Sequence, residues 1–387
     1  MELDEALVAQ QQVVRLQALL EASRQIHSTI ELDEVLRIVL RIVVRELELV
    51  GAFFTAFEHR YGDVPVELSA RLNSGHADSK SNDDSYLRFS LCDKDGNRFT
   101  DLIVILSVGR VLDLDETDFL ESLAMQAGVA IENARFHERT VQWQRLESDL
   151  ASARLVQQSL LPQQMPEIPG YALAARSVTC YEVGGDYLDI VALPEGDTMI
   201  VVGDVAGKGL TSALVGMSFR SAFRAMVHTN SSLVDTVARM NLLHYSEGAE
   251  SRRRYVTALL IRLDPRRNTI EVVNAGHNPA FLFDGNGNWL KIAASGTPIG
   301  MLPCSSYLAE KFVLGSRARL LVYTDGMTEV FRGDEEFGES RLLQAFAGCE
   351  GLGPEATLTS LWNTLDTFSE RQEQCDDMTA LVLFRTS

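Results

Sequence analysis

Apolar positions recur at three- and four-residue spacing from Leu16 to Leu49, in "LQALLEASRQIHSTIELDEVLRIVLRIVVRELEL". The pattern predicts two amphipathic helices broken between Ser28 and Asp33, where Thr29 and Glu31 mark a stop and restart. "GAFFTAFEH" then reads as a strand, "GHADSKSNDDS" as a polar loop and "LIVILSVGRV" as another strand. After "LDLDETD" helical spacing resumes in "FLESLAMQAGVAIENARFHER" and meets no breaker before Pro162. Taking Phe136, Trp143, Leu150 and Gln157 as heptad a positions puts Arg139, Leu146, Ala153 and Leu160 at d, so six of these eight are apolar. A coiled coil between two subunits is expected here, with Arg139 and Gln157 weakening any single register; a lone helix packed on its own domain is the alternative.

Past Pro162 the pattern changes to short β-rich runs parted by glycine turns: "YLDIVALP", "MIVVGDV", "YVTALLIRLD", "TIEVVNAG", "AFLFDG", "RLLVYTDG" and "MTALVLFRTS". Helical periodicity interrupts them in "TSALVGMSFRSAFRAMV", "SLVDTVARMNLLHYS" and "EATLTSLWNTLDTFSE". Many strands with a few long helices predict two sheets covered by helices, and the whole chain reads as an α+β protein of two domains.

Composition narrows the partners. The chain has 387 residues, 46% hydrophobic and 23% charged, as expected of a soluble globular protein. No run approaches the roughly 18 to 20 apolar residues of a membrane span, and "MELDEALVAQ" lacks the features of a signal peptide, so a cytoplasmic location is expected. A formal charge of −19 disfavours nucleic acid and anionic membrane as partners. The five cysteines are odd in number and never spaced C-x-x-C, which indicates neither a disulfide framework nor a zinc site. "VVGDVAGKGL" looks like a phosphate loop but fails its spacing, because Gly203 is too close to Gly207 and Lys208 is followed by Gly209 rather than Ser or Thr.

What that stretch does offer is Asp204 at the end of a strand. Asp186 in "VGGDYLDI", Asp325 in "VYTDGMTEV", and Asp376 with Asp377 in "QCDDMTALVL" stand in the same kind of place. Each alone suits an ordinary turn. Together they make a repulsive cluster unless divalent cations, which prefer oxygen ligands, neutralise it.

From about Ala153 to Phe384 the blocks "ARLVQQSLLP", "EVGGDYLDI", "GDVAGKGLTSAL", "YVTALLIRLDP", "NAGHNPAFL", "GTPIGML", "LLVYTDGMTEV", "FGESRL" and "DDMTALVL" follow one another in the order of a known family. This segment resembles the bacterial branch of the PP2C-type serine/threonine phosphatases, the SpoIIE and RsbU-like group. The resemblance implies an α/β/β/α sandwich over 162–387 and two Mn2+ or Mg2+ ions. By the family pattern Asp204 would bridge the ions, with Asp186 and the Val205 carbonyl on one, and Asp325 and Asp376 on the other. Asp377 would stand just outside the ligands, Asp189 would reach the centre through water or lie on the surface, and Lys208 would attract phosphate or serve a flexible turn. His277 stands where many relatives carry an aspartate that helps hold a third ion; its turn-forming neighbours favour a structural role, so two ions are expected. Eukaryotic relatives place a histidine where this chain has Ala206.

Residues 17–138 resemble a GAF domain, mainly through "LAMQAGVAIENARF" and the order of elements. The expected organisation is an N-terminal helical extension over 1–16, this GAF-like sensor, a helical linker over 139–161 that pairs two subunits, and the phosphatase domain. No ligand signature is visible, since His59, His76 and Cys92 stand alone. The resemblance implies a phosphorylated STAS-domain protein as substrate and a homodimer; the alternatives are a catalytically silent phosphoprotein-binding scaffold and a ligand-sensing dimer.

Overall fold

The computed structural model describes residues 17–73, 86–162, 164–229, 231–285, 288–370, 372 and 374–386. The extension 1–16 and the polar run at 75–85, with His76, lie outside the described residues. The chain divides into two compact units, Met1–Glu147 and Ser148–Ser387. The division falls inside one helix, within residues 139–161.

In the first unit, α1 (residues 17–26) and α2 (Leu32–Glu46) form the expected helix pair, and Glu31 N–H donates to Thr29 Oγ1 at the break. Asp33 and Glu34 in the first turn of α2 and Arg45 in the last complement the helix dipole. The sheet has the order β2-β1-β4-β3, with β1 Gly51–Phe54, β2 Arg60–Gly62, β3 Tyr86–Cys92 and β4 Arg98–Ile105, all antiparallel. Alternation sorts its side chains: Phe54, Leu91, Leu102 and Val104 join the helices in the larger core, while Phe53, Ile103 and Ile105 pack with Leu72 of α3 (Val66–Asn73) on the other face.

The helix after β4, α4, runs from Leu114 to Leu160 without a break. Asp113 and Glu116 start it as a reciprocal cap, each carboxylate accepting the other's backbone N–H at 3.0 and 2.7 Å. Its early turns bury Leu120, Leu123, Ala127 and Ile131 in the first unit's core, and its residues from Ser148 onward belong to the second unit. Among the described residues no helix is long and apolar enough to cross a membrane.

The second unit holds two five-stranded antiparallel sheets. One, built of β5 Tyr171–Val178, β10 Ala280–Phe283, β11 Trp289–Ile292, β13 Arg319–Tyr323 and β16 Met378–Arg385, has the order β11-β10-β13-β16-β5. The other, built of β6 Tyr187–Ala192, β7 Thr198–Val205, β8 Val256–Asp264, β9 Thr269–Ala275 and β12 Glu310–Val313, has the order β12-β9-β8-β7-β6. Outside them lie the hairpin of β14 (Phe331–Arg332) and β15 (Glu335–Glu336) and the short helix α7 (Ala249–Arg253). Strands β6, β7, β8, β13 and β16 build the site. Between the sheets lie Ile200 and Val202 of β7, Leu320 and Val322 of β13, and Leu381 and Leu383 of β16. The alternate residues face outward: Val201 packs under α5 (Leu210–Val227) and α6 (Leu233–Ser246), and Leu321, Tyr323 and Val382 pack under α8 (Gly338–Gly348) and α9 (Pro354–Phe368). Burial on both faces explains why "MIVVGDV" and "MTALVLF" read as continuous apolar runs rather than alternating ones. Each such Val, Ile or Leu contributes about 1.5–3 kcal/mol, enough together to hold the strand ends against the charges placed on them.

Candidate metal centre

Four strand ends supply the carboxylates. Asp186 immediately precedes β6, Asp204 is the penultimate residue of β7, Asp325 opens a 3-10 turn just after β13, and Asp376 and Asp377 immediately precede β16. In one sheet Tyr187 pairs with Gly203, and continuing that register sets Asp186 opposite Asp204. In the other, Tyr323 pairs with Ala380, which lays the turn at Asp325 beside Asp377. The approach is so close that a Cβ on Gly326 would overlap the Asp377 carbonyl, so only glycine fits after Asp325.

A threonine joins the two sheets. Thr324 Oγ1 donates to Asp186 Oδ2 at 2.8 Å and accepts from Thr379 N–H at 2.9 Å. The space above Gly185 brings the other groups together: a Cβ there would meet the Val205 carbonyl oxygen at 3.1 Å, Ser212 Cβ at 3.3 Å and an Asp204 carboxylate oxygen at 3.6 Å. Ser212 Oγ is buried with no hydrogen-bond partner.

Electrostatics mark the same residues. Asp186 is held well above the ordinary carboxylate range, first by burial and then by Asp204. Burial, with Asp325 and Asp376 adding to it, lifts Asp204 to about 7. Asp325 rises to about 6, through burial and then Glu329, four residues further on. Lys208 answers part of this charge: its Nζ lies 2.8 Å from Asp376 Oδ2 and donates to the Cys375 carbonyl at 2.6 Å, and the bond to Asp376 holds the ammonium above its usual value.

The carboxylates thus form a set of oxygen donors with the Val205 carbonyl among them. Among the described residues no three His, Cys, Asp or Glu side chains are drawn together as a finished coordination sphere. The donor set nevertheless fits hard divalent cations, because it is all oxygen, raised in pKa by burial and then by neighbouring carboxylates, and bordered by an unpartnered hydroxyl at Ser212.

Not every acidic candidate faces the centre. Asp377 turns away and ties the neighbouring loop, its Oδ1 accepting from Cys180 N–H at 2.7 Å and its Oδ2 from Gly185 N–H at 2.6 Å. Its carboxyl is raised, chiefly by burial. Asp189, expected to reach the centre through water or to lie on the surface, does neither. It is fully buried, gripped by Arg224 Nε and Nη2 at 2.6 and 2.8 Å and by Tyr187 Oη at 2.6 Å. Three steps along an extended chain reverse the facing of a side chain, which sends Asp189 beneath α5 while Asp186 stays at the strand end.

His277 is buried behind the centre. Its Nδ1 lies 2.9 Å from Thr257 Oγ1, Thr257 is the register partner of Asp204, and burial pushes the imidazole down to about 4. Spacing did not single out Thr324, Ser212 or Glu329; the only hint for Thr324 and Glu329 was their place in "VYTDGMTEV". Gln157, placed by heptad arithmetic on an intersubunit seam, is instead buried within the second unit.

The second unit has the PP2C fold. The structure of the SiaA-PP2C domain of Pseudomonas aeruginosa matches it with a TM-score of 0.56 at 20% identity, covering 64% of this chain and 99% of that one. Residues 194–386 match the family described as Stage II sporulation protein E, and this segment is a SpoIIE-family PP2C domain. Phosphoserine phosphatase RsbP of Bacillus subtilis is 31% identical over 150 residues, covering 38% of this chain and 37% of the relative. Phosphoserine phosphatase RsbU of the same organism is 25% identical over 215 residues, covering 55% and 62%. Protein IcfG of Synechocystis is 23% identical over 263 residues, covering 61% and 41%. The chain therefore spans between 37% and 62% of the length of these curated relatives.

Proposed function

We propose that this chain is a regulated, metal-dependent protein serine/threonine phosphatase, with its catalytic centre at the carboxylate cluster of the second unit. The observation that carries the proposal is the convergence of Asp186 and Asp204 from one sheet with Asp325 and Asp376 from the other, where burial, with the neighbouring carboxylates adding to it, lifts Asp204 to about 7. Asp204, with Asp186 and the Val205 carbonyl from one sheet and Asp325 and Asp376 from the other, would hold Mn2+ or Mg2+. When bound, a pair of such ions acidifies a water for in-line attack and neutralises the phosphoryl oxygens.

The chain's own groups prepare the site. Thr324 fixes Asp186 by its 2.8 Å hydrogen bond, so that carboxylate is aimed before any ion arrives. Lys208 stands 2.8 Å from Asp376 Oδ2, beside a proposed ligand, where its ammonium is at hand for the phosphate. Position 206 is alanine, and His277 is buried and neutral at pH 7, so neither supplies a side-chain acid for the departing seryl oxygen. Water has to return that proton.

The substrate is a phosphorylated STAS-domain protein, as the resemblance implies, and the relatives named phosphoserine phosphatases support phosphoserine as its reactive group. The first unit is a GAF-like regulatory domain, and two chains pair through α4 in the cytoplasm. Phe136, Trp143 and Leu146 on that helix are exposed at heptad spacing, which supports pairing over this stretch. Incubating the full chain and Asp204→Asn with a phosphoserine STAS protein and a phosphotyrosine peptide in Mn2+ tests the proposal. Phosphate released from the first substrate only, by the unaltered chain only, is expected. No release at saturating Mn2+ and Mg2+ would move the assignment to a phosphoprotein-binding scaffold.

A further inference from the structure

The last turns of α4 carry a glutamine that the chemistry above does not use. Gln157 is 7% exposed, and its amide pairs with both backbone polar groups of one residue: Nε2 donates to the Gly184 carbonyl at 2.7 Å, and Oε1 accepts from Gly184 N–H at 3.2 Å. The two partners fix which way the amide points, because the carbonyl can only accept and the N–H can only donate. A buried side chain here mimics the neighbouring strand of a ladder.

The residue it grips leads directly to the candidate ligands. Gly184, Gly185 and Asp186 are each held by a different element: Gly184 by Gln157, Gly185 by Asp377 and Asp186 by Thr324. The loop packs closely enough to exclude a side chain, since a Cβ at Gly184 would stand 2.6 Å from Asp377 Oδ2 and 2.7 Å from Thr179 Cγ2. The helix end is itself tethered, with Arg220 Nε of α5 donating to the Leu160 carbonyl at 3.0 Å. Gln157 is therefore held in place on one side and holds the ligand loop on the other.

We propose that Gln157 is a positioning residue for the cation site: by clasping Gly184 it sets the direction in which Asp186 and the space above Gly185 face the centre. This rests on the metal assignment made above. Removing the clasp leaves the Gly184 N–H and carbonyl buried without partners and frees the loop, so cation affinity falls even where the fold survives. A glutamine that only fastened α4 to its unit would change melting temperature and leave affinity alone.

Calorimetric titration of the full chain with Mn2+ separates the two, using the unaltered chain, Gln157→Met, Gln157→Glu and Asp204→Asn, with melting followed by circular dichroism. Gln157→Met, similar in volume and unable to make either bond, is expected to weaken Mn2+ binding by about 10–100-fold, as other changes behind a ligand do. Gln157→Glu keeps the acceptor for Gly184 N–H and loses the donor, so weakened binding is expected here too, and this variant decides if Gln157→Met fails to fold. Mn2+ affinity within about twofold of the unaltered chain in a folded Gln157 variant overturns the proposal. If binding is lost in Asp204→Asn but unchanged in the Gln157 variants, only the role of Gln157 falls; if the unaltered chain binds no Mn2+, the metal assignment falls with it.

Discussion

Both units bury carboxylates on their sheets, and they treat them in opposite ways. In the first unit Asp101 on β4 is surrounded by partners: Arg98 and Arg88 pair with its Oδ2, Arg88 at 3.6 Å, and Ser90 Oγ donates to its Oδ1 at 3.1 Å. In the second unit Asp186, Asp204 and Asp325 face one another, and burial with mutual repulsion raises all three. A carboxylate with its own cation is complete as it stands. Carboxylates that converge without enough cations carry a cost, which folding tolerates because ten strands fix the ends that bear them.

Asp189 sharpens the contrast within a single strand. It lies three residues from Asp186 and is as saturated as Asp101, with Arg224, Tyr187 and its own neighbour's N–H around it. Acidity and burial do not by themselves define the centre; the missing counter-charge does.

The largest effect that can break this contrast is on turnover. Asp204→Asn removes the central donor and is expected to lower phosphate release by about 100–1000-fold or more, measured at saturating Mn2+. Asp189→Asn should not behave like it. Next comes stability of the second unit: Arg224→Met leaves Asp189 buried without its cation and is expected to cost about 3 kcal/mol in urea unfolding, with the Mn2+ requirement unchanged. In the first unit Asp101→Ala is expected to cost less, about 1–3 kcal/mol, because the arginines it strands are partly exposed and water can take its place. Mn2+ affinity that fell with Asp101→Ala would blur the comparison.

The smallest effect is a slope with pH. Asp204 at about 7 and Asp325 at about 6 bind protons in the native state that an unfolded chain, near 3.8, has already released. Metal-free stability from these groups is fully present below about pH 4 and is lost as pH rises through 6 and 7. In EDTA the second unit's urea midpoint is expected to be higher at pH 5 than at pH 7.5, and Mn2+ is expected to abolish or reverse the difference. A midpoint in EDTA that did not fall between those pH values would contradict the raised carboxyls of Asp204 and Asp325.

How much of this was legible in the chain follows the kind of signal involved. Asp204 was visible because a glycine-flanked carboxylate closes a long apolar run, and the two-sheet architecture was visible because runs such as "MIVVGDV" and "MTALVLF" are too apolar for a sheet with one wet face. The facing of Asp189 was not, because alternation assigns a face only once the first residue of the strand is known, and β6 starts at Tyr187. Gln157 was misassigned for a related reason: seven-residue spacing continues smoothly through it, yet its partner, Gly184, is 27 residues away and makes no pattern in the chain. Thr324 joins two strands far apart in sequence, a tertiary fact that no local spacing records.

The central claim, that these four strand ends hold cations, is tested most directly by anomalous diffraction from crystals of the full chain soaked in Mn2+. The account predicts two peaks among Asp186, Asp204, Asp325 and Asp376. A site that stays without anomalous density at saturating Mn2+, or Mn2+ bound away from these residues, would contradict it.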